Sequence, residues 1–306
     1  GSGPQAVVTD LGILEPDETG EMVLTALHPG ATVDQARANT GWALRAVDEP
    51  RRTEAPTPEE LRILREELDP QGIYLTFTLS DGDQLMMMHT GELGNWDSPL
   101  RGRVPFNWEV QPLLNEIAPA LLERYTAAAA QNDCLIAGPS GAGYIVPPLA
   151  PRLGAYMDET ARVCAETGIS VVTTYVADPP TRVLRELAAH RGSLTGFLAG
   201  YAVVTRAPMQ TVAGVPVIAN RFPSVEQIAF NAPDLLAKIK AEIDRQLATR
   251  RDAPVFIGVH LFAYRTTYED IVRFTEALPL DQVHTVRADE FLLLFQESNR
   301  RKQSGK

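Results

Sequence analysis

From residue 73 onward the chain repeats one pattern: a short apolar run, a loop, then a stretch with helical spacing of its apolar residues. Residues 73–79 are dense in β-branched and aromatic side chains and read as a strand. Residues 134–137, 169–173, 194–198, 215–218, 254–259 and 284–286 read as further short strands. Helices are expected over 110–130, 155–167, 180–190, 224–229, 232–250 and 267–278, with a last one over 289–298. Strands that alternate with helices form parallel sheets, because each crossover returns the chain to the same end of the sheet. About seven such units predict an α/β fold with a closed or nearly closed (β/α) barrel; an open doubly wound sheet fits the same pattern.

Residues 6–72 do not follow that pattern. A strand over 6–14, a turn at 15–20 and a second strand over 22–27 precede a short helix that Thr32 can cap. Thr57-Pro58-Glu59-Glu60 then opens another helix, with Leu61, Leu64 and Leu68 on one face. Two strands and two helices bury little core by themselves. The expected division is therefore a small α+β appendage over 1–72 and a barrel-like domain over 73–306. The stretches "VVTDLGILEPD", "LHPGATVDQARANTGW" and "PTPEELRILREELDP" give the first part a family likeness. It resembles the C-terminal end of the B subunit of family I coenzyme A transferases, of the glutaconate and 3-oxoacid type. That family's catalytic glutamate lies in the earlier part of the same polypeptide, and neither it nor the CoA-binding sheet has a counterpart here. The resemblance implies a docked or fused fragment rather than a transferase. A transferase-related role with a partner subunit is the corresponding alternative.

Bulk composition narrows the partners. The 306 residues carry a formal net charge of -11, and 44% are hydrophobic. An acidic surface repels phosphate backbones, so nucleic acid is not an expected partner. No apolar run reaches the roughly 20 residues of a membrane helix, so no membrane partner is expected either. The opening Gly1-Ser2-Gly3 reads as a cloning remnant and has neither the basic nor the apolar region of a signal peptide. Cys134 and Cys164 make no disulfide framework, and the five histidines show no metal-ligand spacing. No cofactor is expected. Location in the cell and oligomeric state are left open.

Chemistry is concentrated at the ends of the expected strands. Gly138-Pro139-Ser140-Gly141-Ala142-Gly143-Tyr144 follows the apolar run 134–137. A glycine-rich turn there lets backbone approach a ligand and leaves N–H groups to face it. The stretch has no GK[ST] and no Rossmann spacing, so a nucleotide is a poor fit. In a barrel the loops after the strands build one rim. That rim would gather Asp81, Asp83, Asn107 and Glu109, then Ser140 and Tyr144, Tyr175 and Asp178, Asn220 and Arg221, His260, and Asp289 with Glu290. Carboxylates, amides and aromatic rings on one rim suit a small-molecule or oligosaccharide substrate: paired acids do general acid, base or nucleophile work, and aromatic faces stack on pyranose rings. Several of these residues also have a plainer explanation. Asp81-Gly82-Asp83 makes a turn, Asn107 and Glu109 make structural hydrogen bonds, His260 is a core histidine, and Asp289-Glu290 are first-turn charges of the last helix.

Five stretches, "YLTFTLSDGDQL", "RGRVPFNWEVQPLLNEIAPALLERY", "NDCLIAGPSGAGYIVPP", "PVFIGVHLFAY" and "VRADEFLLLF", give residues 73 to about 296 a second likeness. They resemble the C-terminal domain of the GxGYxYP family of glycoside-hydrolase-like proteins. One departure is Val146, where the family's motif has its second tyrosine. Others are Gln84, where asparagine is common, and the transferase-like segment in place of the usual N-terminal domain. The expectation is a carbohydrate-active hydrolase with Asp83 and Glu109 as the acid/base pair. Asp81 and His260 would assist, and Asn107, Ser140, Gly141, Gly143, Tyr144, Asp289 and Glu290 would contact substrate. A metal-dependent, deacetylase-like site on Asp81, Asp83 and His260 is a variation. A barrel that binds glycans or a protein without catalysis is the alternative of a different class.

Overall fold

The computed structural model describes residues 6–9, 11–28, 31–53, 72–79, 84–91, 93–175, 179–200, 209–221, 231–249, 254–278 and 283–303. The helices expected after Thr57 and over 224–229 lie outside the described residues. The chain divides into two compact units, Gly1–Leu64 and Arg65–Lys306.

In the first unit β1 (Val7–Val8), β2 (Gly12–Pro16), β3 (Met22–Leu27) and β4 (Arg45–Arg52) form a four-stranded sheet in that order. Strands β2 and β3 are the expected antiparallel hairpin. Asp17 organises its turn by accepting from Thr19 Oγ1 at 2.6 Å and Thr19 N at 2.9 Å, and Arg45 Nη2 reaches its other oxygen at 2.5 Å. The Thr19 hydroxyl, followed by Arg45, holds that carboxyl well below the usual carboxylate range. Helix α1 (Val33–Ala38) starts at Thr32 through a reciprocal capping box with Gln35. Strand β4 is missing from the sequence reading. Its residues are largely charged and exposed, so no apolar alternation marks it; it is placed by parallel pairing with β3. Leu14, Leu24, Leu27, Ala31, Ala36 and Leu44 form the core of this unit.

The second unit is built on β5 (Ile73–Leu79), β6 (Phe106–Val110), β7 (Asp133–Ala137), β8 (Val171–Thr174), β9 (Gly196–Ala199), β10 (Met209–Val212), β11 (Val215–Ala219), β12 (Val255–Leu261) and β13 (Val283–Thr285). The sheet order is β10-β11-β9-β8-β7-β6-β5-β12, with β13 beside the first three residues of β5. All neighbours are parallel except β10 and β11. Beyond β11, Asn220 bridges Gly258 of β12, and Arg221 N donates to Gly258 O at 2.7 Å. The two ends of the parallel run therefore meet, and the sheet curls into the expected barrel-like ring. The flanking helices are α2 (Gln84–His89), α3 (Leu114–Ile117), α4 (Pro119–Thr126), α5 (Leu153–Thr167), α6 (Thr181–Ala189), α7 (Ala232–Thr249) and α8 (Tyr268–Glu276), with α9 (Ala288–Gln303) last.

Strand β6 differs from expectation, since 106–110 carries no strand in the sequence reading and 110 opens a helix there. The segment Phe-Asn-Trp-Glu-Val is wholly buried. Its two polar residues hide the strand in sequence and only make sense on the inside of a ring. The helix expected over 110–130 is two short ones, broken at Ala118-Pro119.

Side chains alternate across each strand, and the two faces belong to different cores. Leu75, Phe77, Phe106, Trp108, Val172, Phe197, Val217 and Ile257 face the surrounding helices, including Leu122, Met157, Leu184, Ile239 and Ile271. Tyr74, Cys134, Ile136, Val171, Leu198, Ile218 and Phe256 face inward and pack on Phe291, Leu292, Leu294 and Phe295 of α9. Helix α9 therefore lies across the N-terminal mouth of the ring. Gln296 Nε2 fastens it there by donating to Gly214 O at 2.6 Å.

Two expectations follow. Replacing Phe291 by alanine removes a fully buried ring from the plug and should cost about 3–5 kcal/mol in urea unfolding; a cost below about 1 kcal/mol would show that α9 does not fill the ring. His190, at the end of α6, places Nδ1 2.8 Å from Asp158 Oδ1 of α5 and Nε2 3.5 Å from Glu186 Oε1. The hydrogen bond with Asp158 raises its pKa, so this contact contributes most below the unfolded value of about 6.5 and is lost as pH rises through the raised folded value. The Tm difference between wild type and His190→Gln should be larger at pH 5 than at pH 9, and a pH-independent difference would contradict it.

Candidate functional site

The inward-facing positions change character along the strands. Toward the N-terminal end they are apolar and meet α9. Toward the C-terminal end they are Thr76 and Thr78 on β5, Glu109 on β6, Thr173 on β8, Asn220 beyond β11 and His260 on β12, all buried. Alternation puts Glu109 and Asn107 on the same inner face, as expected, but gives them different jobs.

Asn107 is a tie within the fold. Its Nδ2 donates to Thr76 Oγ1 at 2.7 Å and Phe77 O at 2.8 Å, and its Oδ1 accepts from Ala288 N at 2.7 Å. Those bonds join β6 and β5 to the start of α9. The plainer structural explanation fits Asn107 better than substrate contact.

Glu109 is fully enclosed, and Thr173 Oγ1 donates to its Oε1. Strands β6 and β8 are not neighbours; β7 runs between them. The carboxyl crosses because the residue following β7 is Gly138. A Cβ at Gly138 would come within 2.5 Å of Glu109 Cδ and closer still to Thr173 Oγ1. The glycine that opens the loop is thus required by the carboxylate beside it.

The loop itself differs from the expected N–H cradle. Gly138 N donates to Val110 O at 3.1 Å, Ser140 N to Thr173 O at 2.7 Å, Ala142 N to Thr160 Oγ1 at 3.1 Å and Gly143 N to Tyr156 Oη at 2.7 Å. Those donors are engaged within the protein, so at these four positions the loop is a stitched wall and not an anion site. Gly141 packs on Thr160. Ser140 is buried with φ of 78°, and its Oγ accepts from Tyr175 N at 2.9 Å. Tyr144 is 47% exposed on the rim, and its ring centre lies 5.3 Å from that of Tyr175. Tyr264, after β12, is a third exposed rim aromatic.

His260 is buried on the inner face, edge-on to Phe262. Burial pushes its pKa down to about 3, so the imidazole is neutral at ordinary pH. Asp81 and Asp83 lie outside the described residues. Among the described residues no group of His, Cys, Asp and Glu side chains is arranged to hold a metal ion. Both cysteines are buried, and burial is the first cause pushing each thiol up to about 12.

Asp289 and Glu290 do not join this site. Strand β13 pairs only with residues 73–75, so the chain leaves the sheet near its N-terminal end. Arg287 donates to Gln131 O at 2.7 Å and to Asp289 Oδ2 at 2.9 Å. Asp289 lines a cavity of about 240 Å³ with Asp133, Cys134 and Gly168, which precede or begin β7 and β8. The expectation that every post-strand loop reaches one rim fails here because β13 is three residues long. Sequence reasoning also gave no weight to Gly138 and Thr173 as partners of Glu109. A glycine directly after a strand was the available signal; the threonine carried none.

A family model described as "GxGYxYP putative glycoside hydrolase C-terminal domain" matches residues 71–296. The chain belongs to that family. The solved structure of a "putative hydrolase" from Bacteroides thetaiotaomicron superposes with a TM-score of 0.64 at 22% identity, over 75% of this chain and 46% of its own. That likeness concerns the fold. The N-terminal part is 48% identical over 66 residues to the B subunit of 3-oxoadipate CoA-transferase from Pseudomonas knackmussii, covering 21% of this chain and 25% of that one. It is 45% identical over 69 residues to the B subunit of glutaconate CoA-transferase from Acidaminococcus fermentans, covering 22% and 26%. The chain spans about a quarter of the length of these curated relatives.

The Gly138–Glu109 contact makes a direct expectation. Gly138→Ala should displace the carboxyl or the strand and lower Tm by several degrees, consistent with an overpacking cost of about 1–3 kcal/mol. A variant as stable as wild type would show that the carboxyl does not cross above Gly138.

Proposed function

We propose that the barrel unit is a carbohydrate-active hydrolase in which Glu109 is one of two working carboxyl groups and Asp83 is the other. The observation that carries the reading is Glu109 itself: an enclosed carboxyl on the inner face of the ring, with one oxygen held by Thr173. Membership of the GxGYxYP family supports it, as do the exposed Tyr144 and Tyr175 on the same end of the barrel. Asp83 enters from the sequence, four residues after the end of β5.

In this reading one carboxyl group protonates the glycosidic oxygen as it leaves. The other attacks the anomeric carbon or removes a proton from the attacking water. Separations of about 5–5.5 Å between the two groups give retention, and about 6.5–9.5 Å give inversion. The neutral His260 assists by hydrogen bonding, and Thr173 fixes the orientation of Glu109. Tyr144 and Tyr175 offer faces for a pyranose ring. Val146, where the family motif has tyrosine, removes one aromatic from that wall and favours a second reading, a barrel that binds glycans without cleaving them. The N-terminal unit acts in neither reading as a transferase.

The test is hydrolysis of a panel of aryl glycosides and plant and bacterial polysaccharides. Glu109→Gln and Asp83→Asn should each lower turnover by about 10²–10⁴-fold while the protein stays folded. Undiminished turnover in Glu109→Gln would remove Glu109 from the mechanism. Glycan binding by wild type with no turnover of any substrate would favour the second reading, and loss of turnover on chelation would favour a metal-dependent site.

A further inference from the structure

Asn220 sits where the ring closes. Its backbone N donates to Ala199 O at 2.7 Å, and its side-chain Nδ2 donates to Gly200 O at 3.3 Å. The carbonyl partner fixes which way the amide faces, since the reverse orientation would set two oxygens against each other. Oδ1 is therefore turned to the interior face of β12, where Gly258 has no side chain. A Cβ at Gly258 would lie 2.6 Å from Oδ1. Asn220 is 2% exposed, and Oδ1 meets no hydrogen-bond donor among the described residues. A buried carbonyl without a donor is costly, so a fold that keeps one needs a reason.

We propose that Asn220 is a binding residue of the barrel, its Oδ1 accepting a hydrogen bond from a hydroxyl group of a sugar held in the upper interior. The inference rests on the carbohydrate reading above. The chemistry of the surroundings selects the ligand class. Oδ1 only accepts, and His260 two residues beyond Gly258 is neutral. Thr76 and Thr78 on the adjoining strand add hydroxyls and no charge. A neutral polyol meets such a wall with matched donors and acceptors, whereas an ammonium group would face only an amide and hydroxyls on these strands; the Glu109 carboxyl stands on β6, two strands from β12. Gly258 is the space that lets the amide lie flat against β12.

The experiment uses the full chain and its Asn220→Leu variant. Binding of methyl glucoside, galactoside, mannoside, xyloside and N-acetylglucosaminide is measured by calorimetry, followed by the monodeoxy analogues of the best ligand. The expected result is binding at least about tenfold weaker in Asn220→Leu. One deoxy analogue should also bind wild type more weakly, with no further loss in the variant. Equal binding by both proteins overturns the role of Asn220 and leaves the carbohydrate reading standing. No binding of any glycoside by wild type overturns that reading and this inference together. Tm of the free variant should fall by no more than the several degrees that losing the Nδ2–Gly200 bond explains; a larger fall would show that Asn220 holds the free fold together, and would overturn the inference.

Discussion

A ring of parallel strands encloses a space that must be filled, and the last helix fills only one end of it. Phe291, Leu292, Leu294 and Phe295 meet the inward apolar side chains toward the N-terminal ends of the strands. Beyond them the inward positions turn to threonine, glutamate, asparagine and histidine. The packing requirement thus divides the interior into a dry, supporting half and a polar half. The inward-facing Glu109, Asn220 and His260 all belong to the second half, and α9 gives that half a rigid floor.

Within the polar half, one contact sets the geometry of the rest. The Glu109 carboxyl reaches Thr173 across the line of β7, which is open only because Gly138 has no side chain. The same backbone then continues into the stitched Gly138–Tyr144 loop, where the N–H groups of Gly138, Ser140, Ala142 and Gly143 are engaged by β6, β8 and α5. Loop, carboxylate and rim tyrosines are therefore mechanically one piece. A change at Gly138 would be felt at Glu109 before it was felt at the surface.

Much of this was legible in the chain itself. Strand β5, the hairpin of β2 and β3, the capping box at Thr32 and the amphipathic helices follow from alternation, caps and period. Glu109 enters as a candidate from its place among the polar residues that follow the first strand of the larger domain. Strand β6 was not legible, because Asn107 and Glu109 interrupt the apolar pattern that marks a buried strand. Nor was β4, whose charged, exposed residues are held only by pairing with β3. Position after a strand predicts Asp289 and Glu290 on the rim, but the short register of β13 puts Asp289 at the other end, beside the starts of β7 and β8.

Local order and residue type are properties of short stretches of chain. They determined the α/β alternation, the family of the larger unit and the set of polar residues available for chemistry. Which of those residues share a space is decided by register, curvature and closure. Asn107 became a tie and Glu109 an enclosed carboxyl, though they stand on the same face of one strand. Asn220 gained its buried acceptor only when the ring closed on Gly258. Those outcomes depend on strands far apart in sequence, and no local pattern encodes the distance between them.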